Sequence, residues 1–235
     1  METKQPLSMT LFGAGPVEIE MYQGVRILNV RQGSVEWLLA RAGMITASRI
    51  CDVMAVLKKK DAEAADRYNY KVELIAERLT GLPEEQFVSK EMLWGTQNEG
   101  AARSHYEMMR ELLADTVGFG IHPDMDFAGA SPDSLIDLDG GLEIKCPKTA
   151  THIKWAKAGG VPEEHQEQCL FNMDVFGREW WDFMSYDPRL PLEYRAYVVR
   201  MMRDEERIRA IRAGVAQFNE EINSLISSLP GSMAS

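Results

Sequence analysis

The stretch Ser134-Leu135-Ile136-Asp137-Leu138-Asp139-Gly140-Gly141-Leu142 is the feature that most restricts how this chain folds. Asp139-Gly140-Gly141 is a strong hairpin signal, because Asp-Gly and Gly-Gly steps supply the positive φ angles that tight turns need. Apolar residues alternate around it, so the segment predicts two short antiparallel strands joined by that turn. The second strand continues as Leu142-Glu143-Ile144-Lys145-Cys146. Side chains alternate faces along a strand, which puts Glu143 and Lys145 on one face and Leu142, Ile144 and Cys146 on the other. The hairpin also returns Ser131-Pro132-Asp133 to the neighbourhood of that polar face. Two carboxylates suit a hard divalent cation such as Mg²⁺, and an ammonium beside them can orient or activate water. A surface hairpin with a solvated polar face has the same pattern. The hairpin alone leaves both readings open.

At 235 residues the chain is long enough for one large domain or two small ones. Its 45% hydrophobic and 26% charged residues are those of a globular protein. No apolar run approaches the length of a membrane span, and the N-terminal METKQPLSMT lacks a signal-peptide pattern. Cys51, Cys146 and Cys169 are widely spaced and show no zinc-ligand spacing, which suits a reducing compartment. The expectation is a cytoplasmic protein with no membrane partner. A net charge of −10 argues against coating nucleic acid by bulk electrostatics. It leaves room for a local basic channel. Lys145, Lys148, Lys154 and Lys157 follow closely on Glu143, and Lys58-Lys59-Lys60 forms a second basic island that reads as a solvated charge run when taken alone.

No internal repeat, low-complexity segment or linker breaks the chain. The first twenty residues read as a loose extension, with Gly13, Gly15 and Pro16 as breakers. Ser34 opens a short helix to about Ala42, and Thr46-Ala47-Ser48 caps a second that runs to about Lys59. A helix over 68–80 ends at Gly81. The next runs from about Thr96 to Leu113 with Glu99, Ala102, Tyr106, Met109 and Leu113 spaced as one buried stripe. Glu99 is either an exposed first-turn carboxylate favoured by the helix dipole or one held inward for function. Strands are expected over about 116–121, 126–130, 133–138 and 141–146. A helix follows over 162–176, then strands over 180–186 and 194–201, and an amphipathic helix closes the chain over 204–229. This order predicts a mixed α/β fold with a central mixed sheet flanked by helices.

Several separated segments coincide with one family. They are Gln32-Gly33-x-x-Glu36-Trp37, Arg41 through Ser48, Trp94-Gly95-x-Gln97-x-Glu99, Ser131-Pro132-Asp133, Glu143-Ile144-Lys145-Cys146-Pro147, Gln168, and Tyr186-Asp187-Pro188-Arg189. In this order and at these separations the chain resembles the lambda-type phage exonucleases, the YqaJ-like viral recombinases of the PD-(D/E)xK nuclease superfamily. The resemblance runs from about Val30 to about Ser228. Residues 60–70 and 114–128 match too poorly to carry any residue across, and residues 1–24 have no counterpart.

The resemblance implies a restriction-endonuclease-like core and Mg²⁺-dependent 5′→3′ hydrolysis of one strand of duplex DNA. Mn²⁺ is expected to substitute, with one or two ions per site. Asp133, Glu143 and the backbone carbonyl of Ile144 would ligate metal, Glu99 would complete the acidic cluster directly or through water, and Lys145 would orient the attacking water. Gln168 would position substrate or water. Arg41, Ser48 and Ser131 would line a pocket for the DNA 5′-phosphate, where a guanidinium fork and helix N–H groups favour an anion. Met92 precedes Trp94 and would sit where a wedge separates strands, although a buried methionine is the commoner outcome. Trp37 and Trp94 read as core anchors and His165 as packed or solvated.

The resemblance further implies a homotrimeric ring threading duplex DNA ends, a phage single-strand annealing protein as partner, and a phage or prophage origin in a bacterial host. The expected division is an extension over 1–24, one exonuclease domain over 25–229 and a tail over 230–235. Two other readings stand beside it. One is a PD-(D/E)xK endonuclease of restriction or repair type, and the other is a catalytically silent DNA-binding domain.

Overall fold

The computed structural model describes residues 7–10, 15–55, 63–84 and 89–230. Lys58-Lys59-Lys60 lies outside the described residues. The expected central mixed sheet is present as two mixed sheets flanked by helices. In the six-stranded sheet the order is β1 (Leu7–Thr10), β2 (Pro16–Tyr22), β3 (Val25–Leu28), β5 (Phe119–Ile121), β6 (Ala128–Ala130) and β4 (Ile45–Thr46). In the four-stranded sheet the order is β10 (Ala196–Met202), β9 (Trp180–Tyr186), β8 (Gly140–Lys145) and β7 (Ser134–Ile136). Ser131-Pro132-Asp133 is the link where the chain leaves one sheet and enters the other. An isolated bridge between Asp115 and Leu135 ties the two at that point.

Helices α1 (Val35–Arg41), α2 (Ile50–Val53), α3 (Ala65–Thr80), α4 (Lys90–Arg110), α5 (Thr149–Ala158), α6 (Glu163–Phe176) and α7 (Glu205–Ser228) complete the chain. Helix α6 packs against both sheets, and every residue from Cys169 to Phe176 is buried. Its buried second half contributes Cys169, Leu170, Phe171, Met173, Val175 and Phe176 to the largest core cluster, while the polar Asn172 and Asp174 are buried with partners. Among the described residues no helix is long and apolar enough to cross a membrane.

Several expectations need correction. The supposed extension over 1–24 contains β2, which pairs antiparallel with β3 and buries Val17 against Leu28, Val30 and Phe119. Pro16 does not break this strand because it opens it. Gln23 and Gly24 both have positive φ (48° and 85°), the signature of a two-residue hairpin turn, so a boundary at residue 25 would cut a hairpin. The turn before β8 falls on Asp137-Leu138-Asp139, with Asp137 left-handed at φ 46°, rather than on Asp139-Gly140-Gly141. The two glycines lie inside β8, opposite Trp180 and Trp181 in the parallel ladder. A Cβ on Gly141 would stand 2.2 Å from the Trp181 ring, so close approach of an aromatic accounts for this glycine.

Helix α4 begins at Lys90, capped by Ser89, several residues earlier than its apolar spacing suggests. It ends at Arg110 because Glu111 turns left-handed, so the expected stripe stops short. Ala102 and Tyr106 are buried, whereas Met109 and Leu113 are exposed. Helix α5 was not anticipated. It docks through the buried His152, whose ring nitrogens meet Ser185 Oγ at 2.8 Å and the Tyr194 carbonyl at 2.9 Å. The helix capped by Thr46-Ala47-Ser48 is also shorter than predicted. Ser48 lies within a single 3₁₀ turn, Ala47–Arg49, and α2 ends at Val53.

Candidate active site

Strand β8 carries the centre of the site. Its apolar side, Leu142 and Ile144, packs into the core with Met184 and Tyr186. The opposite side carries Glu143 and Lys145 toward α6. Glu143 is only 2% exposed, which rules out a solvated hairpin face. A buried carboxylate must be paired. Glu143 Oε1 accepts from Lys145 Nζ at 2.5 Å and from Gln168 Nε2 at 2.7 Å. Its Oε2 accepts from Asn172 Nδ2 at 3.3 Å. Gln168 and Asn172 are one turn apart on α6, so one helix face holds this carboxylate.

Asp133 Oδ2 accepts the Ile144 backbone N–H at 2.5 Å. A strand residue directs its N–H and C=O to the same side, so the Ile144 carbonyl lies toward Asp133 as well. Burial and the neighbouring Glu143 charge push the Asp133 carboxyl well above the usual carboxylate range. Burial alone would lower the Lys145 ammonium, but Glu143 and Asp133 beside it raise it above the ordinary lysine value. This centre is short of positive charge. Two carboxylates and a carbonyl form a hard oxygen set, and that set together with the charge deficit fits a divalent cation such as Mg²⁺.

Glu99 reaches the same cleft from α4, where its carboxylate is taken up by Arg103. Its Oε1 accepts from Arg103 Nη2 at 2.6 Å, and Arg103 also donates to Ser134 Oγ at 3.0 Å and the Asp133 carbonyl at 3.3 Å. Among the described residues no three carboxylate, histidine or cysteine side chains converge to hold a metal. Glu99 is therefore not placed as a direct third ligand; it faces the cleft through an ion pair. A cavity of about 450 Å³ joins Glu99, Asp133, Ile144, Lys145 and His165 along one wall. His165 is packed, stacked on Phe183 at 5.4 Å and edge-on to Trp155.

A second polar cluster lies across Ser131. Trp37 Nε1 donates to Ser131 Oγ at 2.8 Å, and the Arg41 guanidinium sits 4.2 Å over the Trp37 ring. Arg41 reaches Ser131 Oγ and Ser48 Oγ, both at 3.4 Å. The three residues expected to line an anion pocket do come together. Burial lowers the Arg41 guanidinium to about 10, which leaves it a cation at neutral pH. Among the described residues it has no carboxylate at ion-pair distance. The adjoining cavity measures about 730 Å³ and includes Thr46, Arg49 and Met92. Its turn is clamped by α3, where Glu77 accepts the Gly43 N–H at 2.7 Å and Arg78 Nε donates to the Gly43 carbonyl at 2.9 Å. Because Ser48 sits in a 3₁₀ turn, the positive charge at this cluster is that of Arg41 rather than of a helix end.

Residues 36–179 match the family model for the YqaJ-like viral recombinase domain, a stretch that contains both clusters. The chain belongs to that family. An alkaline exonuclease, LHK-Exo, from Laribacter hongkongensis is 40% identical, with a TM-score of 0.77 over 83% of this chain and 96% of that one. A structure of LHK-Exo in complex with dAMP matches equally well. A phage related exonuclease from Haemophilus somnus 129PT, at 16% identity and TM-score 0.63, covers 79% of this chain and 96% of that one and shows the same fold. No curated protein is detectably similar in sequence. The fold is that of the PD-(D/E)xK exonucleases.

Three participants escaped the sequence reading. Asn172 and Arg103 are each four residues from an expected site residue, Gln168 and Glu99, and that helical spacing is the signal that points to them. Trp37 was read as a core anchor, yet it is half-buried and holds Ser131. Met92 is 49% exposed rather than buried.

Proposed function

We propose that this protein is a Mg²⁺-dependent exonuclease that degrades one strand of linear duplex DNA from its 5′ end. The 3′ overhangs it leaves would serve recombination by strand annealing. One observation carries the reading: Ser131, which contacts the Arg41 cation that has no carboxylate partner among the described residues, is two residues from Asp133 in the acidic cleft. An anion pocket and a hydrolytic centre on one short link suit a substrate whose terminal phosphate is gripped next to the bond to be cut. The 40% identity to an alkaline exonuclease supports the same reading. A pocket of this kind has no task in an endonuclease cutting internal bonds.

A divalent cation held by Asp133, Glu143 and the Ile144 carbonyl would polarise the phosphate and compensate its developing charge. The protein's own part is orientation. Lys145, fixed on Glu143, presents an ammonium to the oxygen of the attacking water. Gln168 and Asn172 hold Glu143 so that it cannot rotate away. Glu99, paired to Arg103, faces the cleft and can hold a water. Arg41, with Ser48 and Ser131, binds the terminal phosphate in fork geometry. Trimer formation and an annealing partner belong to the same reading, and a solution mass of three chains is the result it requires.

The test is a linear duplex carrying one label at a 5′ end or one at a 3′ end. The 5′ label should appear at once as mononucleotide and the 3′ label late, with none released in chelator. Early release of the 3′ label would overturn the polarity.

A further inference from the structure

A second cavity of about 490 Å³ opens off the active-site cleft, within the range of small-ligand sites. It shares Glu91, Cys146 and Pro147 with the cleft. The first turns of α4 stand between it and the anion pocket, for Met92 lines the anion pocket while Lys90, Glu91 and Trp94 line this cavity. Lys148, Thr151 and Arg189 complete its wall. We propose that this cavity binds an unpaired nucleotide of single-stranded DNA, the base lying on Arg189 and the phosphates near Lys148 and Lys90. The proposal rests on the DNA-exonuclease reading of the adjoining cleft.

Arg189 is prepared as a flat platform. Its guanidinium stacks on Trp94 at 4.5 Å and grips Asp187 by Nε at 2.7 Å and Nη2 at 2.9 Å. Asp187 is fully buried and further fixed by Thr149 Oγ1 at 2.6 Å. Anchoring that carboxylate does not require the guanidinium to face an open cavity, yet the Arg189 side chain is 48% exposed there. A rigid, planar, weakly hydrated cation is a surface on which bases stack. Trp94 Nε1 is buried with no hydrogen-bond partner among the described residues, a donor that an acceptor on a base, a ring nitrogen or a carbonyl oxygen, would satisfy. At the rim, Lys148 meets Glu91 at 2.8 Å, an exposed pair that opens at little cost to a phosphate.

Only an unpaired base can enter such a cavity, because a paired one keeps its edge on its partner and its faces on its neighbours. With one strand's 5′ end directed to Arg41, the cavity across α4 suits the other strand once the two part. A released mononucleotide has the same chemistry, so the test separates the two sources.

Binding is measured in EDTA, where hydrolysis plays no part, by fluorescence anisotropy of a labelled oligodeoxyadenylate, with dAMP titrated separately. Thr151→Trp fills the cavity, and Lys148→Glu reverses its rim charge at an exposed position that folding does not need. Each variant should weaken oligonucleotide binding about tenfold, the worth of one stacked base, with dAMP affinity and thermal midpoint unchanged. A wild-type protein that fails to bind the oligonucleotide, or variants that bind it as well as wild type does, would overturn the proposal. Equal loss of dAMP and oligonucleotide binding would also overturn it, by assigning the cavity to the product. Failure to digest linear duplex would instead strike the exonuclease reading and leave the binding result standing.

Discussion

The two polar clusters on either side of Ser131-Pro132-Asp133 are built in opposite ways. In the cleft, Glu143 is held by Lys145, Gln168 and Asn172, with the first two at 2.5 and 2.7 Å. In the cluster around Arg41 the two Arg41 contacts are both 3.4 Å, at the long limit for hydrogen bonds, and among the described residues no carboxylate pairs with the cation. The cleft sits on a buried strand and a buried helix, whereas the pocket sits on a turn clamped from outside by α3. Tight mutual pairing fixes groups for chemistry, and loose pairing leaves a charge for a ligand to complete. On the proposed reading, the difference separates turnover from end recognition.

Substitutions should therefore fall into two classes. The largest effect is expected at Lys145, where Lys145→Ala should lower kcat about a thousandfold while DNA affinity is kept. Single-turnover kinetics beside a binding titration separates the two, and a variant with lost affinity and normal kcat would merge the clusters. Gly141→Ala comes next, since it drives a methyl into Trp181 and should destabilise the fold by about 3 kcal/mol, read by denaturant unfolding. Unchanged stability would show that β8 is not the rigid support of the cleft.

Arg41→Ala should leave kcat nearly intact and reduce the preference for 5′-phosphorylated over 5′-hydroxyl ends roughly tenfold or more. Competition between the two ends measures it, and an unchanged ratio removes the pocket assignment. The smallest effect concerns pH. Burial lowers His165 to about 3 from an ordinary 6.5, so the fold holds it neutral while the unfolded chain protonates it. Its contribution is full above pH 6.5 and declines as pH falls toward 3. His165→Phe keeps the stack on Phe183 and should flatten the fall in thermal midpoint between pH 7 and 5. An equally steep fall in the variant would assign the acid sensitivity elsewhere.

What was legible in the sequence follows the same division. The strand alternation of 142–146 placed Glu143 and Lys145 on one face, and there they meet. Sequence spacing also marked α3, α6, α7, β9 and β10 closely, because their apolar periods are long or their caps distinct. The glycine pair misled: Gly140 and Gly141 were read as a turn, but the tryptophans that require them lie forty residues onward. The strand over 16–22 was obscured by Gly15 just before it and Pro16 at its start, although Val17, Ile19 and Met21 alternate with Glu18 and Glu20. Helix α5 is anchored by one buried histidine, which leaves little periodic signal. Glu99 was placed in the cleft and its i,i+4 spacing pointed to Arg103, but that Arg103 also reaches Ser134 and the Asp133 carbonyl shows only in three dimensions. The stacking of Arg189 on Trp94 joins positions almost a hundred residues apart and is visible only in the structure.

The central claim is that hydrolysis begins at a DNA end gripped by the loose cluster and is performed by the tight one. Covalently closed circular duplex and the same DNA linearised to 5′-phosphorylated ends, incubated with the protein and Mg²⁺, test it directly. The account predicts complete loss of one strand from the linear form and an intact circle. Cleavage of the closed circle would contradict it.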